Sequence, residues 1–411
     1  MTYLWRGIFL GILSKLRLES WIAIMVTLMV CFTRLSMAAG QIFYGIAILL
    51  SIIYIWKHRR ELYVPFYVKK YSKSLVVMLL LLLPSAILTN NIAVGLPEFI
   101  NVWLWRIPVF FIIALCIRDK KTLFTMLAVF FVDFGIDNLV AFYQHFSGMT
   151  DRGWGFGSSV LSISGLMVML VPIFCVILLD KEFPNYVKAA ALWALGCVGF
   201  GMYGNQSRGS WLFNMILIPI VSLPYLIKRF VYVVAVLAAL GGVIWGFSTQ
   251  PQYVTRFESI TNTTTDGSNL GRFDVWTSSI NMFKDHPLTG VGIGQWRTKY
   301  EESYRLPSEN QHLYHAHNNF IQLLGEVGIL GLLGVLIFFS TIIIDNFVTW
   351  LKKRDPYSLC SMIAVVSYVF VFGQVEYTLD NSSGMRIMYF MLATMLQLRD
   401  CLLYTSDAAD D

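Results

Sequence analysis

The sequence predicts an all-α polytopic membrane protein of about 12 transmembrane helices, with one large loop between helices 9 and 10. Three observations carry that expectation. First, 56% of the 411 residues are hydrophobic and only 14% are charged, against roughly 25% charged in soluble domains. Second, the mean hydropathy is +0.62. A core of limited volume cannot hide that much apolar surface, which excludes a soluble enzyme, a disordered regulator and a nucleic-acid-binding domain. Third, the basic residues gather in alternate connections between apolar runs.

A hydrocarbon core about 30 Å thick needs about 20 apolar helical residues. Residues 1–19 lack a small-residue cleavage site and read as an interfacial segment rather than a removable signal. Spans follow at roughly 20–36, 40–56, 75–90, 101–117, 122–146, 159–179, 189–204, 211–227, 230–247, 319–345, 357–377 and 384–399, with no internal repeat. Between them lie the basic clusters Lys57/Arg59/Arg60/Lys69/Lys70/Lys73, Arg118/Lys120/Lys121, Lys228/Arg229 and Lys352/Lys353/Arg354. With Arg6, Lys15, Arg17, Lys181, Lys188 and Arg399, 20 of the 31 Lys and Arg residues fall on one side. The positive-inside rule assigns that side, and both termini, to the cytoplasm. The opposite connections are short except for 248–318, which holds six Lys and Arg, seven Asp and Glu, and four of the six histidines. The six cysteines show no metal-ligand spacing and read as packing residues.

The side opposite the basic clusters has no access to ATP, and no phosphate-binding glycine loop occurs on the basic side. A transfer site there needs an activated, membrane-borne substrate or a gradient. Its single basic residues bordering spans are all Arg and none is Lys: Arg34, Arg106, Arg152, Arg208 and Arg386. One reading is snorkelling to the headgroups. The other is a lipid-linked phosphate or diphosphate held by several rigid guanidinium forks. Arg208 sits in the short connection Asn205-Gln206-Ser207-Arg208-Gly209-Ser210.

Within the long loop, Phe273, Trp276, Ile280 and Phe283 fall at helical spacing, and Pro287 and Gly290 stop that helix. The pattern suits an amphipathic helix lying on the membrane. Arg272 falls in its first turn, where a cation opposes the helix dipole; a bound anion would explain it. His312, His315 and His317 could be read as metal ligands, but no Asp or Cys nearby completes a recognised pattern. The alternative is one imidazole acting as general base at the mouth of a helix. Gly325, Gly328, Gly331 and Gly334 read as close helix packing. Glu326, in the same helix, needs a partner that the sequence does not identify.

His317-Asn318, nine residues, Gly328, two residues and Gly331 together resemble the H-[NSQ]-x9-G-x-x-[GTY] signature of bacterial O-antigen ligases. Gly271-Arg272-Phe273 through His286-Pro287-Leu288-Thr289-Gly290-Val291-Gly292 is similar to the arginine helix of the wider ligase/polymerase superfamily. Gln206-Ser207-Arg208 resembles its arginine loop, and Asp151-Arg152-Gly153 resembles a further element. The resemblance covers essentially the whole chain, including 12 spans with one large periplasmic loop after the ninth. It implies a C-type glycosyltransferase-like architecture in the bacterial inner membrane, with the active site facing the periplasm. It implies glycan transfer from undecaprenyl diphosphate to lipid A–core oligosaccharide in lipopolysaccharide biosynthesis, without metal, ATP or other cofactor.

The expected partners are the lipid-linked donor, the lipid A–core acceptor and membrane lipid, with no nucleic acid. On this reading Arg208 and Arg272 hold the donor diphosphate and stabilise its departing charge. His317 deprotonates the acceptor hydroxyl. Arg152, Arg106 and Arg386 are further candidates for the anion site, and Asp380 is a candidate to orient Arg386. The alternatives are an O-antigen polymerase of the same superfamily and a lipid-linked glycan flippase or transporter. A flippase would carry charge along a central cavity between related halves. The expected organisation is a single membrane domain over residues 1–400 with loop 248–318 inserted. Residues 401–411 look like the read-through of a sequencing adapter, the alternative being an acidic cytoplasmic tail.

Overall fold

A computed structural model describes residues 17–88, 91–226, 251–259, 266–309 and 311–407. Ten helical segments are long and apolar enough to cross a membrane, and no strand occurs among the described residues. The first three are α1 (Leu18–Leu35), α2 (Met37–His58) and α3 (Phe66–Ile87). The fourth crossing, Ile92–Cys116, is α4 (Ile92–Phe99) and α5 (Pro108–Cys116) joined through a π turn at Ile100–Leu104. Then come α6 (Lys120–Phe146), α7 (Val160–Leu179), α8 (Asn185–Asn205) and α9 (Arg208–Leu226). Two shorter helices, α10 (Pro251–Glu258) and α11 (Gly267–Asp285), precede α12 (Asn319–Lys353). The tenth crossing, Pro356–Gln374, begins as α13 (Pro356–Val365) and ends in a π turn and a 3-10 turn. Helix α14 (Ser382–Asp407) follows.

Ten of the expected spans thus appear. The ninth, at 230–247, lies outside the described residues, as does nearly all of the N-terminal segment 1–19. The twelfth falls within α14, which is helical but not among the ten apolar crossings. Residues 384–398 of α14 are buried throughout. A helix enclosed by protein can carry Arg386, Gln397 and Arg399 because neighbouring helices supply their partners. Helix α14 packs against α13, α5, α1 and α6.

The helix starts follow ordinary capping chemistry. The Ser36, Asp119 and Asp355 side chains accept from Ala39, Thr122 and Ser358 N–H groups, and Pro356 occupies the first turn of α13. At the end of the bundle near Trp154, Arg34 on α1 reaches Asp137 on α6 at 2.5 Å. It also donates to Ser162 Oγ and Trp154 O. The other oxygen of Asp137 accepts from Phe156 N–H at 2.6 Å. This buried pair ties two spans to the 151–159 connection. At the opposite end, Lys70 and Tyr71 on α3 both bond Asp345 on α12.

Helix α12 does not run straight through. Gly328 has φ of 66°, and the helix breaks there. The carbonyls of Gly325 and Glu326 accept instead from Val291 and Gly292 N–H, each at 2.9 Å. Beyond the break, Ile329 and Leu330 N–H donate to Pro287 and Leu288 carbonyls. The segment after α11 therefore supplies the hydrogen bonds that the broken helix lacks. Glu326 takes part in the same joint, accepting from Gly294 N–H at 2.8 Å and Gln322 Nε2 at 2.9 Å. Gly325 and Gly334 pack closely as expected, against Ser279 and against Met78 and Leu81. Gly328 packs closely too, against the Leu288 and Gly290 backbone, and its conformation is in addition one that side chains other than glycine rarely adopt.

Helix α11 stops at Asp285, just before Pro287 and Gly290. Its buried face is Gly271, Val275, Ser278, Ser279 and Met282, whereas Phe273 and Ile280 are exposed. Phe273 and Ile280 of the apolar stripe therefore face outward, whereas Trp276 packs against the buried cluster around Val275 and Met282.

A Cβ at Gly328 would lie 2.5 Å from Leu288 O. Gly328→Ala is predicted to destabilise the protein by about 1–3 kcal/mol from the backbone alone. Gly45, with no heavy atom within 4 Å of a built Cβ, is the control, and Gly45→Ala is expected to be neutral or slightly stabilising. Thermal unfolding of the two detergent-purified variants measures the contrast.

Candidate functional site

Three sequence elements converge at the cavity end of the bundle. The first is the turn between α8 and α9. Only Gln206 and Ser207 separate the two helices, and Gln206 is left-handed with φ of 54°. The turn is held by Asn205, which is fully buried. Its amide donates to Gly153 O and Val160 O, and its carbonyl Oδ1 accepts from Ser164. Arg152 Nε donates to the Asn205 backbone carbonyl at 3.0 Å. The 151–153 element and the arginine turn are thus one unit. Arg208 donates to Ser259 Oγ at 2.6 Å and lies 3.4 Å from Asp266 Oδ2.

The second element is α11. Its N-cap is Asp266, which accepts from Asn269 N–H. The helix therefore begins at Gly267, and Arg272 lies in the second turn rather than the first. The helix dipole is correspondingly a weaker argument about Arg272 than the sequence suggested. Arg272 Nη2 donates to Val375 O at 3.3 Å. Burial lowers its pKa from the ordinary value, with Glu376 opposing and Arg208 reinforcing the shift.

The third element is the histidine segment. Asn318 caps α12, its Oδ1 accepting from Phe320 and Ile321 N–H. Its Nδ2 donates to Gln374 O at 3.0 Å. His317, immediately before the cap, is left-handed with φ of 48°, a conformation costly for a side chain of this kind. Trp276 of α11 donates to Ala316 O at 2.7 Å, fastening the segment to the arginine helix.

The sequence reading missed Glu376. Its Oε2 lies 2.9 Å from His317 Nδ1 and its Oε1 lies 3.2 Å from His315 Nε2. Glu376 follows the irregular end of the tenth crossing, which Asn319 holds in place. Asn319 donates to Val369 O and Thr378 Oγ1, and accepts from Thr378 N–H. Burial alone would raise the Glu376 carboxyl, but the hydrogen bond from His317 and the neighbouring imidazoles hold it below the ordinary Glu value. Burial pushes His315 down to about 4.

These elements enclose a cavity of about 380 Å³, within the range of roughly 300–1,000 Å³ usual for small-molecule sites. Arg152, Arg208, Arg272, Asp266 and His317 form its polar side, and Leu161, Leu212, Phe213 and Phe372 its apolar side. Three guanidinium groups against one carboxylate favour an anion there.

Two expected members are elsewhere. Arg106 donates to Leu379 O and reaches Asp380 Oδ1 at 3.1 Å. Arg386 stacks over the Tyr44 ring at 4.9 Å. Neither lines the cavity, and Asp380 pairs with Arg106 rather than orienting Arg386. His312 also departs from the expected trio and contacts Glu301 and Arg305. The residues that could hold a metal are His315, His317 and Glu376, whose ligand atoms lie within 4.8 Å of one another. In the structure His317 Nδ1 is hydrogen-bonded to Glu376 Oε2, and His315 Nε2 lies 3.2 Å from Oε1.

Residues 189–336 match the family model for O-antigen ligase. This part of the chain is similar to the O-antigen ligase family domain. It contains Arg208, Arg272, His317, Asn318, Gly328 and Gly331, while Arg152 and Glu376 lie outside it. A curated relative, the exopolysaccharide production protein ExoQ of Rhizobium meliloti (strain 1021), is 28% identical over 136 residues. That similarity covers 30% of this chain and 30% of the relative's length.

The buried imidazole has a consequence for stability. The unfolded chain protonates His315 near the ordinary value of 6.5, whereas the folded protein resists until about 4. Stability is therefore full above about pH 6.5 and falls as the pH drops toward 4. Glu376, held below its ordinary value, adds its loss only at more acid pH. The melting temperature is predicted to be flat from about pH 8 to 7 and to fall below about 6.5, with His315→Asn flattening the upper part of that fall. An unchanged profile in the variant would contradict a buried neutral His315.

Proposed function

We propose that the chain is an O-antigen ligase. It transfers a polysaccharide from undecaprenyl diphosphate to lipid A–core oligosaccharide at the periplasmic face of the inner membrane. The observation that carries this reading is the cavity, whose lining brings Arg152, Arg208, Arg272 and His317 together with Leu161, Leu212, Phe213 and Phe372. A lipid-linked diphosphate has the same two-sided chemistry. The guanidinium forks suit the diphosphate oxygens, and the apolar side suits the first isoprene units.

The reaction joins an acceptor hydroxyl oxygen to the anomeric carbon of the donor glycan. The bond from that carbon to the diphosphate oxygen breaks, and its electron pair leaves on the diphosphate. His317 takes the hydroxyl proton. Arg208 and Arg272 offset the charge that grows on the leaving group, and Arg152 contributes to donor binding. The donor's own diphosphate linkage supplies the driving force, in keeping with a site on the face without ATP.

A second reading is favoured by the relative named for exopolysaccharide production. In it the acceptor is another lipid-linked repeat, and the chain is a polymerase with the same donor chemistry.

Expression in two null hosts separates the readings. A ligase-null host is predicted to regain capped lipopolysaccharide, and a polymerase-null host to remain short-chained; the reverse pattern makes the chain a polymerase. In purified protein, His317→Ala is predicted to lower turnover by about 10²–10⁴-fold while undecaprenyl diphosphate still binds. Arg272→Ala is predicted to weaken that binding by about 10- to 100-fold, as loss of a charged hydrogen bond would. Full turnover in His317→Ala would remove the base assignment.

A further inference from the structure

The hydrogen bonds around His315 determine where the protons of the His315/His317/Glu376 cluster reside. The backbone N–H of His317 donates to His315 Nδ1 at 3.2 Å. That nitrogen is an acceptor, so a neutral His315 carries its proton on Nε2. His315 Nε2 lies 3.2 Å from Glu376 Oε1, at ion-pair distance. The other carboxylate oxygen faces His317 Nδ1 at 2.9 Å. An ionised carboxylate only accepts, so His317 Nδ1 must also carry a proton. The remaining nitrogen of His317, Nε2, then keeps its lone pair. His317 lines the cavity beside Arg208 and Arg272, while Glu376 and His315 stand behind it.

We infer that Glu376 is the positioning residue of the transfer reaction: by accepting from His317 Nδ1–H, it fixes His317 in the tautomer whose Nε2 receives the acceptor's proton. The inference rests on the proposed role of His317 as general base. As the hydroxyl proton moves to Nε2, His317 becomes an imidazolium. The Glu376 carboxylate then faces its Nδ1–H and stabilises the new charge. His315, with its pKa pushed down by burial, stands 3.2 Å from the other carboxylate oxygen without adding a competing cation. The other groups acting on this pair are Arg272, Asp380 and the Tyr377 ring, 6.0 Å from His315.

Two features of the fold serve this arrangement. His317 is itself left-handed, and its N–H donates to the ring two residues earlier. The broken end of the tenth crossing, bolted by Asn319 to Thr378, delivers a carboxylate from 59 residues away in sequence.

The test compares Glu376→Gln, Glu376→Asp and His317→Ala in nanodiscs, using the donor and acceptor that the wild type joins. Undecaprenyl diphosphate binding reports that each variant is folded. A glutamine amide turned toward Nδ1 donates rather than accepts and favours the wrong tautomer. Glu376→Gln is therefore expected to lose about 10²–10⁴-fold in kcat, with donor KM and undecaprenyl diphosphate binding changed by less than about threefold. Its acid limb is expected to move to lower pH, because the imidazolium has lost its counter-charge. Glu376→Asp is expected to recover at least about tenfold of the lost kcat.

Wild-type kcat in Glu376→Gln overturns the inference. So does a loss confined to folded yield or donor KM with an unmoved acid limb, which is the mark of a merely structural role. Activity lost on chelation and restored by zinc also overturns it, since a metal on these atoms would replace the protons. Full activity in His317→Ala would bring down the base assignment itself. An inactive His317→Ala beside a fully active Glu376→Gln would leave that assignment standing and remove only the positioning role.

Discussion

A helix broken inside an apolar bundle must find new partners for the backbone groups it releases, and the candidate site depends on how α12 meets that demand. The break at Gly328 would leave carbonyls and N–H groups unpaired at a cost of several kcal/mol each in hydrocarbon. The segment 287–292 supplies the missing bonds from both sides of the break. This segment is the direct continuation of α11. The helix that carries Arg272 and the helix that begins beside His317 are consequently joined by main-chain hydrogen bonds. Their relative placement does not rely on long flexible side chains, which is what a site needing sub-ångström alignment requires. Gly328 and Gly290 are glycines because the two backbones approach closely and both residues have positive φ.

The same economy recurs at the other edges of the cavity. The tenth crossing leaves α-helical geometry at Val366–Val371, and its freed groups meet the Asn319 side chain. The α8–α9 turn is reduced to Gln206 and Ser207, and Asn205 satisfies the surrounding carbonyls. In each case a buried amide with both donors and acceptors replaces the regular ladder. Irregular backbone is tolerated in a membrane protein where it lines a cavity or is enclosed by protein, and these three irregularities all lie around the site. Strain at Gln206 and His317 is stored where the chemistry is proposed, and the rigid helices around it hold that strain in place.

Much of this was legible in the sequence, and the reasons for the gaps are physical. The spans could be read because length and apolar composition are sufficient to define a crossing. The helix α14 fits that criterion poorly because its solvent is protein, so its polar residues cost less than the same residues facing lipid. Arg208, Arg272 and His317 were found by type and spacing, and the structure brings them to one cavity. Glu376 carried no local signal, since it follows an apolar run and acts across 59 residues of sequence. Only the tertiary bolt at Asn319 brings it to the histidines. The stripe Phe273/Trp276/Ile280/Phe283 showed the helix but not its buried face, which combines Gly271, Ser278 and Ser279 with Val275 and Met282.

The arginines show why residue type alone cannot separate fastening from binding. A guanidinium has five donors in a fixed fork, and that fork is equally suited to a carboxylate of the fold or a phosphate of a ligand. Arg34 fills its fork with Asp137, Ser162 and a main-chain carbonyl. Arg106 fills part of its own with Leu379 O and Asp380, and Arg386 lies against Tyr44. All three stand at the ends of spans, where the sequence reading placed an anion site. What distinguishes Arg152, Arg208 and Arg272 is that they meet at one cavity with a single carboxylate between them. The burial that lowers Arg272 raises the cost of leaving its charge without a counter-anion. An anionic ligand entering that cavity relieves that cost, so the burial of Arg272 strengthens the attraction of the cavity for an anion.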